Sequence, residues 1–191
     1  MHKGRLEAFS DGVLAIIITI MVLEMKVPHG IDGAALAPVL PVFLSYVLSF
    51  VYVAIYWTNH HHLLQAVKHV NGASLWANLH LLFWLSLFPF VTGWMGENHF
   101  ALLPVVAYGA VLIAAAIAYY LLVRTLLATH GGDSALARAI GDDFKGRISI
   151  AIYAAGILLA FWSRWLGLGL YVLVAIIWLV PDRRIERTIA S

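Results

Sequence analysis

The chain has 191 residues, of which 62% are hydrophobic and only 12% are charged. A soluble domain carries about 25% charged residues, and a water-soluble fold of this size cannot hide so much apolar surface, so we predict an integral membrane protein. The absence of cysteine excludes disulfides and thiolate chemistry, and the net charge of +2 comes from scattered basic residues that form no nucleic-acid-binding stripe.

Six apolar segments predict an all-α fold with six transmembrane helices in a single domain. Asn71-Gly72 and Gly96-Glu97-Asn98 separate the middle segments, and Pro89 should kink the third segment or mark its last turns. Asp11 interrupts the first segment and no small-residue cleavage site follows, so we expect this segment to be retained. The predicted helices cover about 6–27, 36–58, 75–96, 101–127, 147–162 and 165–180.

The distribution of Lys and Arg predicts the orientation in the membrane. If the N-terminus is cytoplasmic, ten of the twelve basic residues fall in cytoplasmic segments, and only Lys26 and Arg164 fall outside. Both termini of this multi-pass chain should therefore be cytoplasmic, in the cell membrane.

The first helix differs from the others because its wholly apolar part is short. This part runs from Gly12 to Leu23, and at 1.5 Å per residue it spans about 18 Å. Asp11 precedes it and Glu24 follows it. A short helix with polar ends suits the middle of a bundle or the wall of a pore.

The helical repeat sorts the side chains of this first helix into faces. One sector of about 60° carries Ile16, Thr19 and Leu23, with Ile20 at its edge. Asp11 points about 120° away from the centre of this sector, and Ser10 lies nearly opposite it. The spacing alone fits either an ordinary packing stripe beside a buried aspartate or a functional face.

A carboxylate within a membrane needs polar partners, because an unpaired charge in lipid is costly. Asn59, His60 and His61 near the end of the second segment, and Asn78 and His80 in the third, lie at the depth of Asp11 under the predicted topology. The run His60-His61-His62 does not predict a metal site, since consecutive helical residues diverge by about 100°. No catalytic or cofactor-binding motif occurs, and neither does the T-V-G-Y-G potassium filter.

Residues 5–11, with the sequence Arg5-Leu6-Glu7-Ala8-Phe9-Ser10-Asp11, resemble the R-x-x-x-F-S-D signature of the lysosomal-type potassium channels and their prokaryotic relatives. The resemblance continues through 12–16, 56–61, 78–83 and 86–90. It covers the first half of the chain well, whereas the second half matches in helix count alone.

This resemblance implies a cation channel whose first helix lines a central pore. By position, Ile16, Ile20 and Leu23 would form apolar constrictions and Thr19 a layer of hydroxyl groups. The signature would tie the first helix to its neighbours. The residues expected in this role are Arg5, Phe9, Ser10 and Asp11 with His61 and Asn78. Since the chain carries one repeat, four subunits would be needed.

We therefore expect a homotetrameric potassium-permeable channel without cofactor or metal, embedded in the lipid bilayer, with no nucleic-acid partner. The main alternative is a secondary or proton-coupled transporter that uses Asp11 and the histidines as a proton relay. No inverted repeat and no pair of broken helices supports this alternative. An intramembrane enzyme is disfavoured by the missing motifs.

Overall fold

The computed structural model describes residues 3–130, 136–137 and 144–179. Within these ranges all regular secondary structure is helical, as the sequence predicted. A short 3-10 helix at Gly33–Leu36 lies in the connection between the first two helices. The longer helices are α1 (Gly4–Leu23), α2 (Leu40–Gln65), α3 (Gly72–Ser86), α4 (Phe88–Glu97), α5 (Leu102–His130), α6 (Phe144–Ala160) and α7 (Arg164–Leu179).

Among the described residues, four helical segments are long and apolar enough to cross a membrane. They are α1, α2, the pair α3–α4 taken together as Gly72–Glu97, and α5. Of the two remaining helices, α7 is a shorter apolar helix of 16 residues and α6 has 17 residues. The protein is therefore an all-α membrane protein, as its composition indicated.

The third apolar segment is a broken helix. α3 ends at Ser86 and α4 begins at Phe88, with Pro89 in the first turn of α4. Proline has no backbone N–H to donate and its ring crowds the preceding turn, so the chain tightens there and the Leu87 N–H donates to the carbonyl of Trp84. The break therefore falls at the predicted proline, inside the membrane segment.

α2 is longer than the sequence suggested and continues past 58 to Gln65. The polar residues at its end form hydrogen bonds within the helix instead of ending it. The Thr58 hydroxyl donates to the carbonyl of Ala54, and the Asn59 amide donates to the carbonyl of Ile55. His60 and its neighbours consequently lie on a regular helix rather than in a loop.

α5 runs through the centre of the bundle, and α1 lies at one side of it. α1 packs on α2, α3 and α4, while α5 packs on α3, α4 and α6. α6 and α7 form a tight hairpin, since a Cβ atom on Gly167 would lie 2.7 Å from the carbonyl oxygen of Gly156. Glycine permits this close approach, as is common in membrane helix pairs. The core of the bundle contains three almost fully buried tyrosines, Tyr52 of α2, Tyr108 of α5 and Tyr171 of α7.

Candidate pore-lining helix

One face of α1 is buried against its own chain. The buried residues recur every three or four positions, which is the repeat of one helical face. They are Leu6, Ser10, Leu14, Ile17 and Met21. This stripe fixes the rotation of α1 relative to α2, α3 and α4.

The opposite face of α1 is uncovered. Ile16 is 58% exposed, Ile20 40% and Leu23 81%, and Thr19 is exposed beside them. All four residues that the resemblance assigned to the pore face thus lie on the side of α1 that its own subunit leaves free. In a membrane protein an exposed apolar face contacts lipid, another subunit or a conduction path, and the apolar faces of other helices are exposed as well.

The hydroxyl group of Thr19 is oriented by the backbone of its own helix. It donates to the carbonyl oxygens of Ile16, at 2.9 Å, and of Ala15, at 3.2 Å. Because the single hydroxyl proton is used on the helix, the oxygen lone pairs are left for another partner. An acceptor of this kind suits a cation.

A buried hydrogen-bonded chain ties α1 to α2 and α3. The Asn78 amide nitrogen donates to the Ser10 hydroxyl at 3.0 Å, and its amide oxygen accepts from Nε2 of His60 at 2.7 Å. All three side chains are almost fully buried. A satisfied buried network of this kind specifies one packing arrangement, because any other arrangement leaves polar atoms unpaired.

Asp11 is bound by a different residue from those the sequence suggested. The indole Nε1 of Trp57 donates to Oδ1 of Asp11 at 2.9 Å, whereas Asn78 bonds Ser10 and His60. His61 touches this pair only through Trp57, on whose indole it stacks with a centroid distance of 5.7 Å. The step from Ser10 to Asp11 turns the side chain by about 100°, which directs the two neighbours to different partners.

Asp11 is also exposed in the single chain, and not buried as expected for an intramembrane carboxylate. Arg5 and Phe9 of the same segment lie on exposed positions too, with Phe9 54% exposed. Within residues 5–11, the subunit therefore buries Leu6 and Ser10 and leaves Arg5, Phe9 and Asp11 exposed.

Two tethering residues, Trp57 and Lys3, were not predicted from the sequence, whereas His60 was named as a candidate partner of Asp11 and instead bonds Asn78. Trp57 lies in the stretch that carries the family resemblance, and the four-residue spacing of Trp57 and His61 could have shown that they stack. No sequence pattern predicted the contact that Lys3 makes. Its ammonium group donates to the carbonyl of Leu64 at 2.6 Å and so joins the start of α1 to the end of α2.

A second polar cluster holds the other end of α1. The hydroxyls of Ser49 and Thr92 lie 2.6 Å apart, and Ser49 also bonds the Tyr108 hydroxyl at 2.9 Å. The Thr92 hydroxyl lies 3.9 Å from the sulfur of Met21, which is on the buried face of α1. At the helix end, Lys26 pairs with Glu97 at 3.1 Å in an exposed position, where an ion pair contributes little stability.

No metal centre is found in the part of the chain that the structure describes, since no three His, Asp or Glu side chains gather there. The three consecutive histidines point in different directions. His60 bonds Asn78, and His61 bonds Gln65 at 2.8 Å. His60 and His61 thus form hydrogen bonds with neighbouring side chains, and His62 packs edge-on against the ring of His61.

Comparison with known proteins identifies relatives along the whole chain. A family model described as the endosomal/lysosomal potassium channel TMEM175 matches residues 5–89. A potassium channel of a Chryseobacterium species is 59% identical over 189 residues, which cover 99% of this chain and 98% of that protein. The human endosomal/lysosomal proton channel TMEM175 is 38% identical over 85 residues, 38% of this chain and 17% of that protein.

A solved structure has the same fold. It is the crystal structure of a lysosomal potassium-selective channel TMEM175 homolog from Chamaesiphon minutus, which matches with a TM-score of 0.78 and 31% sequence identity. The match covers 93% of this chain and 96% of that chain, so it includes the second half, where the sequence resemblance was weak.

Proposed function

The chain belongs to the TMEM175 family of potassium channels, and from this premise we propose that four copies surround a central pore lined by α1. The observation that carries the proposal is the division of α1 into two faces. One face is tied to α2, α3 and α4 by packing and by the Ser10–Asn78–His60 chain. On the other face, Ile16 and Leu23 are exposed on the outer surface of the subunit.

The proposed conduction path has an apolar constriction and no carbonyl filter. Rings of Ile16, Ile20 and Leu23 cannot replace the hydration shell of an ion, so a cation loses water there at an energetic cost. Potassium loses its water more easily than sodium, which favours potassium. Thr19 lies next to the constriction, and its outward lone pairs offset part of the lost hydration.

The single pore helix of each subunit supports the proposed tetramer, whose subunit number comes from the family resemblance. One copy of α1 cannot enclose a path, whereas a closed ring of four copies can. The proposed subunit crosses the membrane six times, with the broken pair α3–α4 counted once and with α6 and α7 as the shorter spans. Both termini are then on the cytoplasmic side of the cell membrane, and lipid surrounds the outer helices.

A proton-coupled transporter is the competing function. It would need a relay of titratable groups that starts at Asp11. The hydrogen bond that Asp11 accepts comes from the Trp57 indole, which cannot exchange a proton in such a relay. The similarity to proteins named as potassium channels also favours a channel over a transporter. Because another relative is named as a proton channel, proton permeation should be measured together with potassium permeation.

The test is single-channel recording of the purified protein in planar bilayers under potassium, sodium and proton gradients. Unitary current steps with a reversal potential near that of potassium support the proposal. Saturable flux without unitary steps, driven by a proton gradient, would support the transporter instead.

A further inference from the structure

The outer end of α1 carries an acidic residue that the proposed constriction does not include. Glu24 directly follows Leu23, the last residue of α1, and its side chain is exposed. In the topology proposed above, this end of the helix faces the outside of the cell. Glu24 therefore lies at the outer mouth of the proposed path, one residue beyond the ring of Leu23.

The charge of Glu24 is not neutralised by a basic side chain of its own subunit. Within the part of the chain that the structure describes, the Glu24 carboxylate forms no ion pair and accepts no hydrogen bond. Lys26, the nearest basic residue in the sequence, is paired with Glu97 at 3.1 Å. Arg164, the other basic residue predicted on the outer side, lies over the ring of Trp165 at 5.3 Å from its centroid.

The carboxylate of Glu24 lies beside α4, where a glycine leaves room for it. A Cβ atom added to Gly93 would lie 4.0 Å from Oε2 of Glu24, which is an ordinary van der Waals distance. The carboxylate is therefore placed between the end of α1 and the surface of α4, and it remains exposed there.

The backbone adds negative partial charge at the same place. The carbonyl groups at the C-terminal end of a helix together carry about half an elementary negative charge. The last turn of α1 contains no basic residue that would offset it. The N–H of Glu24 donates to the carbonyl of Ile20, so the residue closes the helix at this end. The carboxylate and the helix end thus attract cations together.

We propose that four copies of Glu24 attract cations to the outer mouth of the channel and so set how readily the path fills from outside. This inference rests on the proposed tetrameric channel, because one carboxylate becomes a ring of four only through its symmetry. Rings of acidic side chains have this role in cation channels, since they raise the local concentration of cations. The ring supplies ions to the constriction and does not itself distinguish potassium from sodium.

The test compares the unitary potassium conductance of the wild type and Glu24→Gln in planar bilayers at low and high salt. The screening length is about 30 Å at about 10 mM KCl and about 3 Å at about 1 M KCl. We expect Glu24→Gln to lower the conductance about threefold at the low concentration. At the high concentration the two proteins should conduct equally, because salt screens the carboxylates. Glu24→Asp keeps the charge and should behave as the wild type does.

The side of the membrane is tested through a single thiol, because the chain contains no cysteine of its own. The thiolate of Glu24→Cys displaces methanesulfinate from a membrane-impermeant methanethiosulfonate reagent and forms a mixed disulfide. A sulfonatoethyl reagent then adds a negative charge, and a trimethylammonium-ethyl reagent adds a positive one. From the outer chamber, the first should restore the conductance at low salt and the second should lower it further. Neither should act from the cytoplasmic chamber.

The matched control removes a neutral pair from the same end of the helix. The double variant Lys26→Gln with Glu97→Gln leaves the net charge unchanged, so it should conduct as the wild type does at both concentrations. Equal low-salt conductance of Glu24→Gln and the wild type, or a reduction that persists at high salt, would overturn the role of Glu24 and leave the channel function intact. Absence of unitary potassium currents in the wild-type protein would overturn the proposed function and this inference together.

Discussion

The side chain of Asn78 on α3 bridges two other helices, with its nitrogen 3.0 Å from the Ser10 hydroxyl of α1 and its oxygen 2.7 Å from Nε2 of His60 on α2. A single amide thus satisfies one polar group on each neighbour at a depth where water is excluded. The bridge holds the buried stripe of α1 inward, and this rotation leaves Ile16 and Thr19 on the uncovered side.

Replacing Asn78 by Leu should destabilise the subunit strongly. The variant leaves Ser10 and His60 buried without a partner, and each unsatisfied group costs about 1–3 kcal/mol. The measurement is the midpoint of thermal unfolding in detergent, followed by size-exclusion chromatography. Asn98→Leu, at an exposed asparagine that bonds only its own helix, is the control. Equal midpoints for the two variants would show that the bridge contributes nothing.

Asp11→Ala should weaken assembly more than it changes the permeant ion. The carboxylate accepts from the Trp57 indole, and a hydrogen bond to a charged group is worth about 1.5–3 kcal/mol. Trp57→Phe keeps the ring but removes the N–H, so it should have a similar effect. Trp162→Phe, at an indole that is 89% exposed, is the control.

The readouts for these variants are the fraction of tetramer in native mass spectrometry and the reversal potential in bilayers. A normal tetramer with altered ion preference would place Asp11 on the conduction path and contradict its role as a tether.

The purified wild-type protein should be a tetramer in mild detergent. The reason is geometric, since one exposed α1 face can line a quarter of a closed path but cannot enclose it. Native mass spectrometry or chemical crosslinking measures the subunit number. A dominant monomer or dimer at all detergent concentrations would rule out the proposed pore.

Ile16→Asn should raise conductance and lower the preference for potassium over sodium. A ring of amides hydrates a passing ion where the isoleucine ring strips its water, so the dehydration penalty that separates the two ions falls. Single-channel conductance and reversal potentials measure the two effects. Val22→Asn is the matched control, because Val22 is also exposed, at 42%, but lies outside the helical sector that carries Ile16, Thr19 and Leu23. A larger effect at Val22 would put the pore on another face of α1.

Thr19→Ala should reduce ion discrimination without dissociating the tetramer. The lost hydroxyl removes one oxygen per subunit beside the constriction, and a contribution of about 1 kcal/mol corresponds to roughly a fivefold change in permeability ratio. Thr19→Ser keeps the oxygen and should retain the wild-type ratio. The comparison uses bi-ionic reversal potentials, and an unchanged ratio in Thr19→Ala would remove this residue from the selectivity mechanism.

The class of protein and the faces of α1 could be predicted from the amino-acid sequence. Composition predicted a helical membrane protein, because the backbone polar groups of a chain in lipid must be satisfied within each segment, which helices do. The helical repeat grouped Ile16, Thr19 and Leu23 on one side because that repeat is a local property of the backbone. Pro89 likewise marked the break between α3 and α4 through its own missing N–H.

The side-chain contacts between different helices could not be predicted from spacing along the chain. Trp57 rather than His61 or Asn78 bonds Asp11, and Asn78 of α3 instead joins Ser10 of α1 to His60 of α2. These contacts depend on how each helix is rotated and how deeply it sits against its neighbours. Rotation and depth result from the packing of the whole bundle, and no local spacing along the chain specifies them.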